Sequence, residues 1–163
     1  MSQVVTSLPE TTTMIVWPGV TRFGLGRLFG SLYDLGRGGY IVTPGNLIAL
    51  LTAPIGAALY LLRVAPGIAL RYRLTDRRII VERGWGAKEE KAVDLDRFDS
   101  IEIVRRPGMR WFDHGDLIFR LGQVETFRLE SVPRPKQFKH VCWKAHMAYT
   151  RVSQVLQQQA ELV

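Results

Sequence analysis

The sequence predicts an α+β protein, mainly β: a partly open antiparallel barrel or sandwich of about seven short strands, capped by one long carboxy-terminal helix and preceded by an apolar transmembrane or re-entrant helical segment. Three observations predict it. From residue 70 onward apolar and polar residues alternate in short runs, separated at intervals of roughly 8 to 12 residues by turn-forming residues. From residue 135 the apolar period lengthens to that of a helix and holds to about residue 158. Ahead of both, residues 47–62 carry no charge at all.

The 163 residues suit one domain with room for a small extra module. A chain that is 47% hydrophobic and 23% charged must keep the two kinds apart, and this one does. Lys and Arg number 22 against 15 Asp and Glu, so the net charge of +7 points towards polyanions, either nucleic acid or anionic lipid. The single cysteine, Cys142, excludes an internal disulfide framework and a Cys-rich zinc module.

Residues 1–13 (MSQVVTSLPETTT) lack the basic and apolar regions of a cleavable signal peptide and read as a polar tail. Residues 14–45 read as an interfacial amphipathic segment followed by a Gly-rich loop. A helix there gathers Leu25, Leu28, Phe29 and Leu32 on one side, with Trp17 at its start, although Gly19, Gly24, Gly26 and Gly30 weaken it. GLGRLFG has the wrong spacing for a dinucleotide loop, and no strand with a ribose-binding acid frames it.

Residues 46–69 form the expected anchor, a transmembrane or re-entrant helix carried by Leu47, Leu50, Leu51, Ile55, Leu59 and Leu62. The uncharged run is slightly short of the roughly 20 residues of a span, but Arg63 can snorkel and residues 64–70 extend the apolar surface. Pro54 and Gly56 allow a kink or a re-entrant turn. The alternative is a helix buried in a soluble core. Arg71, Arg73, Arg77 and Arg78 follow the run closely, which places the carboxy-terminal part in the cytoplasm.

The domain proper is expected over 70–158, with a short tail at 159–163. Strands read at 70–75, 78–84, 88–94, 100–106, 116–121 and 124–129, and a poorer one at 109–112. Leu117, Phe119 and Leu121 share one face, as do Phe127 with Leu129 and Ile101 with Ile103. Thr75-Asp76, Gly84-Trp85-Gly86, Pro107-Gly108, His114-Gly115-Asp116 and Gly122 supply turns. In the final helix Phe138, Val141, Cys142, Ala145, Ala148, Tyr149, Val152, Val155 and Leu156 make a core-facing stripe.

The stretches YRLTDRRIIVERG, VDLDRFDSIEIV, GDLIFR and TFRLESVPRPKQF, in that order, closely resemble the bacterial pleckstrin-homology-like domains that sit beside membrane segments. Tyr72, Leu74, Thr75, Arg78 and Gly84 match the family's first hairpin, and Leu95, Phe98 and Ile101 its next strand register. Gly115-Asp116 and a proline opening the helix, Pro133 or Pro135, match later positions. The resemblance covers about residues 70–150. It implies a non-catalytic, membrane-anchored binding or assembly domain and names no ligand; phosphoinositide recognition is not carried over.

The residues themselves point the same way. Cys142 and His146 share a helix face, but two ligands are too few for a metal and Cys142 belongs to the core stripe. Asp113-His114-Gly115-Asp116 looks like a catalytic cluster yet lies between strands, where these residues serve turns. No enzyme activity, cofactor or metal is expected. The expected contact residues, for anionic headgroups or a partner's acidic patch, are Arg71, Arg73, Arg77, Arg78, Trp85, Arg110 and Trp111. The competing explanation is ion pairing of the hairpin arginines with Asp76, Glu82, Glu89 and Glu90. Aromatic and basic residues do not interleave as a stacking platform, so nucleic acid is disfavoured. The leading expectation is a scaffold or accessory subunit at the cell membrane, its domain cytoplasmic, with a membrane-protein partner or a second copy of itself. The alternative is a lipid- or small-ligand-binding module with a pocket near Trp85, Trp111 and Phe112.

Overall fold

The computed structural model describes residues 9–34, 44–65 and 68–161. Strands β1 (Thr12–Val16), β2 (Leu70–Thr75), β3 (Arg78–Arg83) and β4 (Lys88–Asp94) make a four-stranded antiparallel sheet in that spatial order. Strands β5 (Ser100–Val104), β6 (His114–Leu121) and β7 (Val124–Pro133) make a three-stranded one. Between β1 and β2 the chain forms a 3₁₀ turn (Val20–Arg22) and helices α1 (Gly24–Tyr33), α2 (Pro44–Leu51) and α3 (Ala53–Val64). Helix α4 (Pro135–Glu161) closes the chain.

The hairpins follow from local chemistry. The Thr75 hydroxyl accepts the N–H of Arg78 at 2.9 Å, closing the β2–β3 turn. Gly122, at φ 60°, turns β6 into β7 and donates its N–H to Asp99 Oδ2 at 2.6 Å. The sheets enclose one core in which Leu74, Ile79, Leu95, Leu117, Phe119 and Leu129 have lost all contact with solvent. Helix α4 covers it with Phe138 and Cys142, and Phe98 meets Phe119 edge-on at 5.0 Å. Each such side chain contributes about 1.5–3 kcal/mol by leaving water. The Tyr72 hydroxyl donates to the Glu130 carbonyl at 2.8 Å, tying the two sheets together, and burial pushes its phenol pKa up.

The layout of seven strands and a carboxy-terminal helix is as the sequence predicts, but one strand has a different source. Residues 109–112 are a turn, and the seventh strand is β1, from the stretch read as tail and surface helix. Its β-branched residues suit the sheet edge, where Met14 pairs with Leu74 and Val16 with Tyr72. The sheet therefore reaches across the boundary expected at residue 70. Residues 1–8 of the expected tail, and most of the Gly-rich loop, lie outside the described residues. The apolar stripe of α4 also outruns the core: Val152, Val155 and Leu156 are exposed.

The transmembrane reading is corrected. No helix among the described residues is long and apolar enough to cross a membrane. The apolar run is divided at Thr52 into helices of 8 and 12 residues. Pro54 has no N–H to continue the ladder, and the Thr52 hydroxyl lies 2.7 Å from the Ile48 carbonyl. Helical bonds from Thr52 N to Ile48 O and from Gly56 N to Thr52 O, both 2.9 Å, persist on either side, so the break is a kink rather than a chain reversal.

Candidate functional site

Helix α1 seats on the β5–β6 connection through Gly30. A Cβ on Gly30 would stand 2.1 Å from the Gly108 carbonyl oxygen, and one on Gly108 would stand 2.0 Å from the Arg27 carbonyl. Only two glycines allow that approach. Gly26 and Gly30, which weaken the helix on propensity, thus line its packed face, while Leu25 and Leu28 remain exposed on the other. Tyr33, at the end of α1, meets Trp111 edge-on at 5.5 Å and Phe112 at 6.3 Å.

Beneath this contact runs a buried polar chain. Ser131 takes a left-handed φ of 50° in a bulge of β7 opposite Asp116. It is held there by its own N–H bonded to Asp116 Oδ1 (2.9 Å) and by its carbonyl accepting the Gly19 N–H (2.7 Å). Its hydroxyl lies 2.5 Å from that of Thr21, which lies 2.9 Å from His114 Nδ1. Arg106 approaches Asp116 Oδ2 at 2.7 Å as an ion pair, without hydrogen-bond alignment. Thr21, His114, Asp116 and Ser131 are all buried. Sequence reading assigns His114 and Asp116 to turn chemistry and misses Thr21 and Ser131 altogether; nothing local marks a threonine and a serine 110 residues apart as partners.

Against the same wall lies a cavity of about 300 Å³ between α1, α3 and the start of β6. Phe29, Tyr33, Leu59, Tyr60, Phe112 and His114 shape it. Of the expected aromatic pocket, Phe112 lines the cavity and Trp111 packs on Tyr33 beside it. Trp85 stands elsewhere, 72% exposed on the β3–β4 turn, where Gly84 N bonds to Ala69 O at 2.8 Å.

Four arginines of the first hairpin, Arg71, Arg73, Arg78 and Arg83, are engaged with acids. Glu82, only 2% exposed, takes Arg71 on one carboxylate oxygen and Arg73 at 2.8 Å on the other. Arg78 bridges Glu10 at 3.0 Å and Glu89 at 3.3 Å, and Arg83 pairs with Glu90 at 2.8 Å. Hydrogen bonds from Arg78 hold the Glu10 carboxyl below its ordinary range, and those from Arg83 do the same for Glu90. Asp76, the remaining acid proposed for such pairing, instead accepts the Thr11 N–H at 3.1 Å. Arg77 lies in the β2–β3 turn, and Arg110 is exposed on the turn before β6.

The largest apolar exposure lies on the helices. Leu47 and Ile55 are exposed, Leu50 is 74% exposed and Leu51 85%, joined by Leu61 on α3 and by Ile68 after it. Of the other anchor residues, Leu59 is buried in the cavity wall, and Leu62 falls in α3 with its side chain outside the described residues.

A family model described as "Bacterial PH domain" matches residues 20–145. The chain belongs to the bacterial PH domain family. No curated protein and no solved structure matches it. The match begins at the 3₁₀ turn, so α1–α3 fall within it, ahead of β2, while β1 lies outside it.

Among the described residues no group of three or more His, Cys, Asp or Glu could hold a metal ion. Cys142 is buried, which pushes its thiol pKa up to about 12. His146 Nδ1 lies 2.6 Å from the Leu95 carbonyl, and its ring packs on Phe98 and Trp143. In the Asp113–Asp116 stretch, Asp113 pairs with Arg105 and sits at φ 48°, whereas Asp116 serves the buried chain.

Proposed function

We propose that this PH domain is a non-catalytic module held on the cytoplasmic face of the cell membrane by its helices, where it serves as a scaffold or accessory subunit of a membrane protein assembly. The observation that carries the reading is the run of large apolar side chains left in water on α1, α2 and α3: Leu25, Leu28, Leu47, Leu50, Leu51 and Leu61. Scattered apolar residues on a surface need no explanation, but so many strongly exposed leucines on three helices, two of them consecutive and packed on the third, point to an interaction surface. Lying in the interface, such helices need no spanning length. The net charge of +7 adds long-range attraction to anionic headgroups. Arg71, Arg73, Arg78 and Arg83 contribute to that field while remaining paired with their acids.

Flotation of the full-length protein with phosphatidylcholine vesicles, with and without phosphatidylglycerol, tests this. The protein rises with both and more completely with the anionic vesicles at low salt. A protein that stays at the bottom of the gradient in every case contradicts the reading. Co-purification of a membrane protein in mild detergent tests the scaffold role separately.

A further inference from the structure

We propose that the cavity between α1, α3 and β6 is a binding site for one hydrocarbon chain, such as the acyl chain of a fatty acid or of a bilayer phospholipid. The lining residues, which also include Val20, Gly26 and Gly56, contain no Asp, Glu, Lys or Arg. Two polar atoms of the lining residues are already engaged within the protein: the Tyr33 hydroxyl lies 2.5 Å from Thr52 Oγ1, and His114 Nδ1 lies 2.9 Å from Thr21 Oγ1. A charged guest would lose its hydration without finding a countercharge, whereas an apolar one gains contact with aromatic and aliphatic walls. An apolar cavity of about 150 Å³ takes benzene, so 300 Å³ has room for roughly twelve carbons. A single chain of that length fits; a folded macromolecular segment does not. The site adjoins the exposed leucines of α1 and α3, so a chain can enter either from solution or from a bilayer against those helices. Binding from solution does not depend on the membrane reading.

Gly56 makes the test clean. A Cβ there meets nothing within 4 Å, so Gly56→Leu fills the cavity without a backbone clash and favours the helix. Full-length protein titrated calorimetrically with sodium decanoate below its micellar range binds one chain saturably. Gly56→Leu weakens binding at least tenfold, while Val124→Ser, exposed at the start of β7 and outside the cavity, leaves it unchanged. Leu59→Ala, which enlarges the cavity, shifts preference from octanoate towards dodecanoate. If the chain is taken only from a bilayer, decanoate fails. Vesicles of phospholipid brominated along the acyl chain then quench tryptophan fluorescence in the wild type and clearly less in Gly56→Leu. Decanoate binding indifferent to Gly56→Leu, or no binding together with quenching equal in both proteins, overturns the proposal. Loss of flotation with decanoate binding intact overturns the membrane reading alone.

Discussion

Nδ1 of His114 lies 2.9 Å from Oγ1 of Thr21, across 93 residues of sequence, and the same hydroxyl lies 2.5 Å from Oγ of Ser131. One threonine thus joins the segment leading into α1 to both strands of the β6–β7 hairpin. Thr21→Val keeps the shape, removes the link and leaves two buried polar groups short of a partner. It lowers stability by about 1–3 kcal/mol. Urea unfolding shows this as a lower midpoint with an unchanged slope, and amide exchange of residues 19–33 accelerates.

Gly30→Ala reverses the usual sign of a glycine-to-alanine change in a helix. Alanine ordinarily gains up to about 1 kcal/mol there. Here its methyl meets the backbone of Gly108 and pushes α1 off the β5–β6 connection. Gly24→Ala, in the same helix with nothing within 4 Å, is neutral or stabilising. Thermal melts of the two variants side by side give opposite shifts, and Trp111 fluorescence changes only in Gly30→Ala.

Glu10 fastens the start of β1 to the β2–β3 hairpin through Arg78 and Thr75. Its pKa is depressed below 4.5, chiefly by the Arg78 hydrogen bonds. Its contribution is therefore complete above the unfolded value and is lost as pH falls through the lower folded value. Glu10→Gln is less stable than the wild type at pH 6–7, and the two curves converge as the pH falls well below 4. Denaturation midpoints across that range check it.

The Cys142 thiol is buried and its pKa is raised to about 12. Reaction with an aromatic disulfide reagent at pH 8 therefore proceeds only through opening of the core. Its rate follows the protein's stability across variants and is fast only in denaturant.

The repeating part of the fold was legible because strand alternation and the period of α4 are local. Leu74, Leu117, Phe119 and Leu129 fall in the core as their spacing requires. Strand β1 was not legible, because Thr12–Val16 gains its partner from a strand about 60 residues later. The apolar run was legible as apolar, and Pro54 and Gly56 signalled a kink, but not that the break would leave helices of 8 and 12 residues. Gly26 and Gly30 misled for a physical reason: propensity counts what glycine costs a helix and omits the close packing it permits. The pairing of Arg71 and Arg73 with Glu82 was readable from strand alternation, since Arg71 stands opposite Glu82 in the register. The chain from Arg106 to Thr21 was not, because it is assembled by tertiary structure from four separate places.

The membrane-surface reading is tested most directly at Leu51. With Cys142 buried and unreactive, Leu51→Cys accepts a single environment-sensitive fluorophore, and Val124→Cys, at the exposed start of β7, serves as the reference. On adding anionic vesicles the label at residue 51 shifts to the blue and is quenched by bromines on the lipid acyl chains, while the label at residue 124 is unaffected. An unchanged spectrum at residue 51, or equal quenching at both positions, contradicts the account.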